Sequence, residues 1–177
     1  MENQVILIRE YTIRLMFALG ILMGVQIPSF IEQYSQRLEA HYLEANENFS
    51  GFQETADHYF DGDTKALIQW HRKSDDPVFS DEADTVEALD QRLAELTEQH
   101  SKLQTHLAGQ LFQIIIHRNR SLLQETTQGY QATIPLTTNA ILCGLISAVL
   151  ISLLTELLLW PIAYAVSLLF PKAHYQR

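Results

Sequence analysis

The sequence predicts an all-α membrane protein in which two transmembrane helices bracket an extracytoplasmic antiparallel helical hairpin of coiled-coil character. Three observations carry this fold class. One apolar run fills Ile134 to Phe170 and another fills Ile13 to Ile31. The acidic stretch between them repeats its apolar residues at steps of three and four, the spacing of one helix face. The 177 residues then divide into a cytoplasmic N-terminus (1–12), a first span (13–31), an acidic periplasmic helical domain (32–133), a second span (134–160) and a cytoplasmic interfacial helix with its tail (161–177).

For the first span, Arg9 and Arg14 lead into the apolar core IRLMFALGILMGVQIPSFI. A cleaved signal peptide has the same outline. It needs small residues at its cleavage site, however, and Gly24-Val25-Gln26-Ile27-Pro28 offers bulky ones, so an intact span is expected. Gly20 and Gly24 form a G-x-x-x-G pair, which lets a second helix approach closely but also arises by chance in membrane helices.

The acidic domain begins with a helix carried out of the first span, with Pro28 expected as a kink in it. Ile31, Tyr34, Leu38, Tyr42, Ala45, Phe49, Phe52, Ala56 and Tyr59 mark its apolar stripe, and Asp61-Gly62-Asp63 is the turn that ends it. Thr64 to Lys73 forms a short helix with Leu67, Ile68 and His71 on one side, broken by Ser74-Asp75-Asp76-Pro77. Ser80 is expected to cap the next helix, with Asp81 and Glu82 in its first turn, where the helix dipole favours negative charge. That helix is expected to be long, because Val86, Leu89, Leu93, Leu96, His100, Leu103, Leu107, Leu111 and Ile114 keep the periodicity until it fades near Gln128-Gly129. Two long helices joined by a short one make the hairpin. Tyr34, Leu38, Phe49, Phe52, Leu93, Leu96, Leu103 and Leu107 are the expected helix–helix contacts. A two-helix pair is thin, so a homodimer completing a four-helix bundle, or another membrane protein, is the expected partner beside the lipid bilayer.

In the second span, Ala140 to Leu159 holds twenty residues with one charge, Glu156. A helix of that length covers roughly 30 Å, the hydrocarbon thickness of a bilayer. The competing reading, a buried helix of a soluble protein, fits so long an apolar run poorly. Within lipid every backbone polar group must be bonded inside the segment, which selects a helix. An intramembrane charge costs about 2.5–3.5 kcal/mol on insertion scales. Glu156 lies four residues before Trp160, so snorkelling to the interface is expected, with a proton-carrying or partner-pairing role as the alternative. Ala140 to Phe170 as one straight helix would measure roughly 46 Å. Pro161 to Phe170 is therefore expected to be a separate interfacial helix stopped by Pro171, the alternative being one tilted, kinked span.

Charge sets orientation and excludes functions. Arg9 and Arg14 before the first span and Lys172 and Arg177 after the second place both termini in the cytoplasm. Residues 32–133 carry 8 Lys/Arg against 18 Asp/Glu, a net of −10, which repels phosphates and excludes a nucleic-acid partner. The one cysteine, Cys143, lies in the second span, so no internal disulfide forms.

Chemistry-bearing arrangements are sparse. His41-x-x-Glu44 and Glu54-x-x-x-His58 each place two metal-binding groups on one helix face, but His100, His106 and His117 lack the matching Glu-x-x-His spacing of a carboxylate bundle. Seam or surface histidines are expected instead. Asp57, Asp61 and Asp63 do not complete a calcium loop. There is no Gly-x-Ser-x-Gly elbow and no Cys-His or Ser-His-Asp arrangement, so no enzymatic activity, cofactor or metal is expected.

Gln33-Tyr34-x-Gln36-Arg37-Leu38, Gly51-Phe52-x-x-x-Ala56-Asp57-x-Tyr59 and Ser74-x-Asp76-x-Val78-Phe79 resemble an uncharacterised family of small two-span proteobacterial inner-membrane proteins. The resemblance implies a bacterial inner-membrane location and brings no activity with it. The function expected from the sequence is presentation of the acidic hairpin for partner binding or scaffolding. The alternatives are a periplasmic sensor acting through a separate signalling partner, and a transport or channel accessory using Glu156.

Overall fold

The computed structural model describes residues 2–117 and 119–169, and among these every regular element is an α-helix. The helices are α1 (Glu2–Gly24), α2 (Gln26–Tyr59), α3 (Thr64–Arg72), α4 (Pro77–Leu103), α5 (Leu107–Ile116), α6 (Arg120–Gln128) and α7 (Thr138–Leu169). They form two compact units, one of residues 1–30 with 131–177 and one of residues 31–130.

The first unit is α1 packed on α7. Two helices are long and apolar enough to cross a bilayer, one in each terminal segment. Ala140, Gly144 and Ala148 repeat every fourth residue of α7, and all three are buried. They face Gly20 and Gly24, which are buried on α1. A Cβ on Gly20 would lie 2.6 Å from Ala148 Cα, and one on Gly24 would lie 2.7 Å from Gly144 Cα. The G-x-x-x-G pair is thus the site of backbone approach. Gly24 opposite Gly144 and Gly20 opposite Ala148 make the pair antiparallel. Ser29 and Thr133 share a 2.8 Å hydrogen bond toward one end, and Arg9 pairs with Glu156 toward the other. The faces turned away from this seam are apolar: Leu145, Val149, Leu153 and Leu157 on α7 and Leu15, Leu19 and Leu22 on α1 are all exposed.

Two prolines act differently from expectation. The helix leaving the first apolar run is divided at Val25 rather than merely kinked. Pro28 has no N–H for the carbonyl four residues earlier, which belongs to Gly24, and its ring crowds that carbonyl. Pro161 causes no break, since α7 continues through it to Leu169. The separate helix expected from Pro161 is therefore not formed over the described residues, and Phe170 to Arg177 lie outside them.

In the second unit, α2 ends where the Ala56 carbonyl accepts from the amides of both Phe60 and Gly62. The turn needs left-handed backbone at Asp61 (φ 52°) and Gly62 (φ 82°), a conformation that suits these residue types. Asp63 caps α3, its Oδ1 accepting from Lys65 N at 2.9 Å and Ala66 N at 3.1 Å. The cap of α4 is Asp76, which accepts from Val78 N at 2.9 Å, with Pro77 in the first turn. The expected cap, Ser80, lies inside the helix instead, because Pro77 is already shaped for the first helical position and Asp76 precedes it. The core joins α2, α3 and α4 through Phe49, Ile68 and Val86, with Phe52, Leu89 and Leu93 packed against them.

The expected long second helix is in fact three. It stops at Leu103, restarts at Leu107, and restarts again at Arg120. At the first stop the Ser101 carbonyl accepts from Gln104 N at 3.2 Å, closing the last turn of α4. The Leu103 carbonyl then accepts from Thr105 N at 2.8 Å and from the Gln110 side-chain amide at 3.0 Å. Asn119 opens α6 by accepting from Leu122 N at 3.2 Å.

Candidate functional site

The site that stands out is an aromatic corner built from the end of α2, all of α3 and the start of α4. α3 is amphipathic. Leu67, Ile68 and His71 turn inward, and Arg72 fastens the helix to α4 through Asp84 (2.9 Å) and Glu87 (2.7 Å). This leaves Trp70 on the outside, 54% exposed, with its ring centroid 6.5 Å from Phe60 and 6.1 Å from Phe79. Tyr59, Val78 and Phe79 are exposed around it. Thr55, Tyr59, Phe60, Leu67, Trp70 and His71 line a cavity of about 370 Å³. His71 is 7% exposed, and its Nδ1 has no hydrogen-bond partner. The corner gathers exposed aromatic and apolar side chains around this cavity. It contains no activated nucleophile.

A second concavity of about 600 Å³ lies between α2, α4, α5 and α6. Tyr34, Leu38, Leu103 and Ile114 form its apolar part, while Lys102, His117 and Arg120 are among its polar lining. Burial pushes the Tyr34 hydroxyl above its usual range.

The residues expected to make helix–helix contacts are distributed over these features. Phe49, Phe52 and Leu93 meet in the core, and Tyr34, Leu38 and Leu103 meet along the larger concavity. Leu96 is buried, whereas Leu107 opens α5 and is half-buried. Glu156 is paired with the guanidinium of Arg9. The aromatic corner was not anticipated from the sequence. Its available signal was Trp70, the one large apolar residue on the polar side of the short helix that carries Leu67 and Ile68.

His41 Nε2 donates to Glu125 at 2.8 Å, and the His100 ring stacks on Tyr42 with centroids 4.9 Å apart. His106 and His117 flank α5. No group of three or more His, Cys, Asp or Glu is placed to hold a metal ion among the described residues. The hydrogen bond from His41, reinforced by the Arg37 guanidinium 3.2 Å away, holds the Glu125 carboxyl below its ordinary value of 4.5. A depressed carboxyl pKa stabilises the fold above the unfolded value and loses that contribution as pH falls through the folded one. Glu125 is half-exposed, so its pairs contribute at most about 1 kcal/mol. Glu125→Gln is accordingly expected to melt a few degrees below the unaltered chain at neutral pH, with the gap closing below about pH 4.5. Melting curves followed by circular dichroism across that range would refute this by showing a gap that persists at pH 3.

Neither the curated proteins nor the solved structures offer a match to this chain. One family's sequence pattern does match, from residue 8 to residue 167, in agreement with the resemblance to an uncharacterised family. The chain belongs to that family, described as protein of unknown function (DUF2937).

Proposed function

We propose that this is a non-enzymatic bacterial inner-membrane protein. Its α1–α7 pair crosses the membrane with both termini in the cytoplasm, and its acidic helical hairpin engages a partner through the aromatic corner. The membrane reading is supported by the outward leucines of α1 and α7, which in water would form an apolar patch far larger than a soluble monomer tolerates. Arg9 and Glu156 pair near one end of the seam, which suits a common cytoplasmic side for the two termini. The hairpin reading rests on contacts whose order reverses between α2 and α4: Leu38 beside Leu103, Tyr42 on His100 and Phe49 with Leu93.

The observation that carries partner binding is the pair of exposed aromatics, Trp70 and Tyr59, that line the small cavity. Exposed aromatic anchors around a small cavity are the usual form of an interaction hot spot. The test is purification from native membranes in mild detergent, with mass spectrometry of co-purifying proteins, for the unaltered chain and for Trp70→Ala. A stoichiometric partner should accompany the first and be lost from the second. Loss of about 2 kcal/mol, roughly thirtyfold in affinity, is expected for such an anchor. Equal retention by both chains, or recovery of the chain without any partner, would overturn the assignment.

A further inference from the structure

Helix α5 breaks the rule that the rest of the acidic unit obeys. Its sequence, LAGQLFQIII, has no charge. Leu107, Leu111 and Ile114 lie on the side turned into the unit, with Ile114 6% exposed. The opposite side is also apolar. Ala108, Phe112, Ile115 and Ile116 share one helix face, and Phe112, Ile115 and Ile116 are 58%, 57% and 55% exposed. A helix that is apolar on both faces needs a second apolar environment.

The surrounding charge points to that environment. From Gln99 to Gln124 there is no aspartate or glutamate, whereas Arg118 and Arg120 fall in this stretch, with His100, His106 and His117 beside them; Lys102 also lies here but is paired with Glu98 just before it. The rest of the domain is strongly acidic. A cation-bearing segment with an outward apolar face is the composition of a helix that lies in a membrane interface. An isologous contact with a second copy would bring the same cations together, which disfavours it.

We propose that α5 is an interfacial helix that lays Phe112, Ile115 and Ile116 into an anionic lipid surface, with its flanking cations held at the headgroups. The proposal rests on the two-span membrane reading, and the experiment separates the two. The full chain, with Cys143→Ser, is spin-labelled singly at Phe112→Cys, Ile116→Cys, Gln91→Cys on exposed α4, or Val149→Cys on exposed α7. Each is reconstituted in vesicles containing phosphatidylglycerol or in phosphatidylcholine alone, and collisions with oxygen and with a water-soluble nickel chelate are compared.

In phosphatidylglycerol vesicles the oxygen-to-chelate ratio at Phe112→Cys and Ile116→Cys should rise well above that at Gln91→Cys and approach that at Val149→Cys. It should fall back in phosphatidylcholine. Ratios equal to that of Gln91→Cys would overturn the proposal while leaving the spans intact. Labels shielded from both reagents would overturn it in favour of a protein cover, and a ratio indifferent to lipid charge would overturn the assignment to anionic headgroups. A water-like value at Val149→Cys would instead bring down the membrane reading itself.

Discussion

Phe49→Ala is expected to destabilise the unit of residues 31–130 by about 3–5 kcal/mol, the range for a buried phenylalanine truncated in a packed core. Phe49 of α2 is 2% exposed and shares its core cluster with Ile68 from α3 and Val86 from α4. Single domains are stable by only about 5–15 kcal/mol, so a loss of this size removes a large share of the margin. The neighbours cannot easily collapse into the space, because α3 is short and its position is set by the Asp63 cap and the Arg72 ion pairs. Hydrogen exchange on the full chain in detergent should show protection lost across α3 and the facing part of α4. Leu43→Ala, on the exposed side of the same helix, should change stability by no more than about 0.5 kcal/mol. If Phe49→Ala were as mild as Leu43→Ala, the core assigned to these three helices would be wrong.

Gly24→Leu should separate α1 from α7. The first atom of the new side chain meets the Cys143 carbonyl oxygen and stands 2.7 Å from Gly144 Cα, both of them backbone that cannot rotate aside. Overpacking of a tight core costs about 1–3 kcal/mol when the structure can adjust, and here relief requires the helices to part. Close approach through small residues is also what holds apolar helices together where no hydrophobic drive exists between them. The reporter is a bis-maleimide bridge between cysteines placed at Arg9 and Glu156 in a Cys143→Ser chain. The bridge should form with Gly24 present and be largely lost with Gly24→Leu, whereas Met23→Leu on the outward face should leave it intact. A bridge that forms equally in both chains would show that the glycines do not set the approach.

How far the sequence could be read differs by element. The turn Asp61-Gly62-Asp63 and the short helix after it were legible because their signals are local: a turn sequence of Asp and Gly, and Leu67, Ile68 and His71 on one face. The interruption at Val25 was half-legible, since Pro28 was recognised but its effect was assigned to a kink. The breaks after Leu103 and Ile116 were not legible. The apolar residues resume in phase across each gap, so periodicity alone reads through the hydrogen bond from Gln110 to Leu103 and the cap at Asn119. Of the candidate site, Trp70 was visible as a residue, but the cavity behind it depends on Thr55, Phe60 and His71 arriving from different elements.

By itself, then, the sequence determined the helical class, the two apolar runs at either end and the acidic unit between them. Composition and spacing act within a segment, and these features need nothing more. Only the tertiary structure decided that Gly20 and Gly24 meet Ala148 and Gly144, that Glu156 is paired with Arg9, and that α5 turns an apolar face outward. Each of these is a matter of register between segments far apart in the chain, set by which surfaces pack closest, and no periodicity within one helix records it.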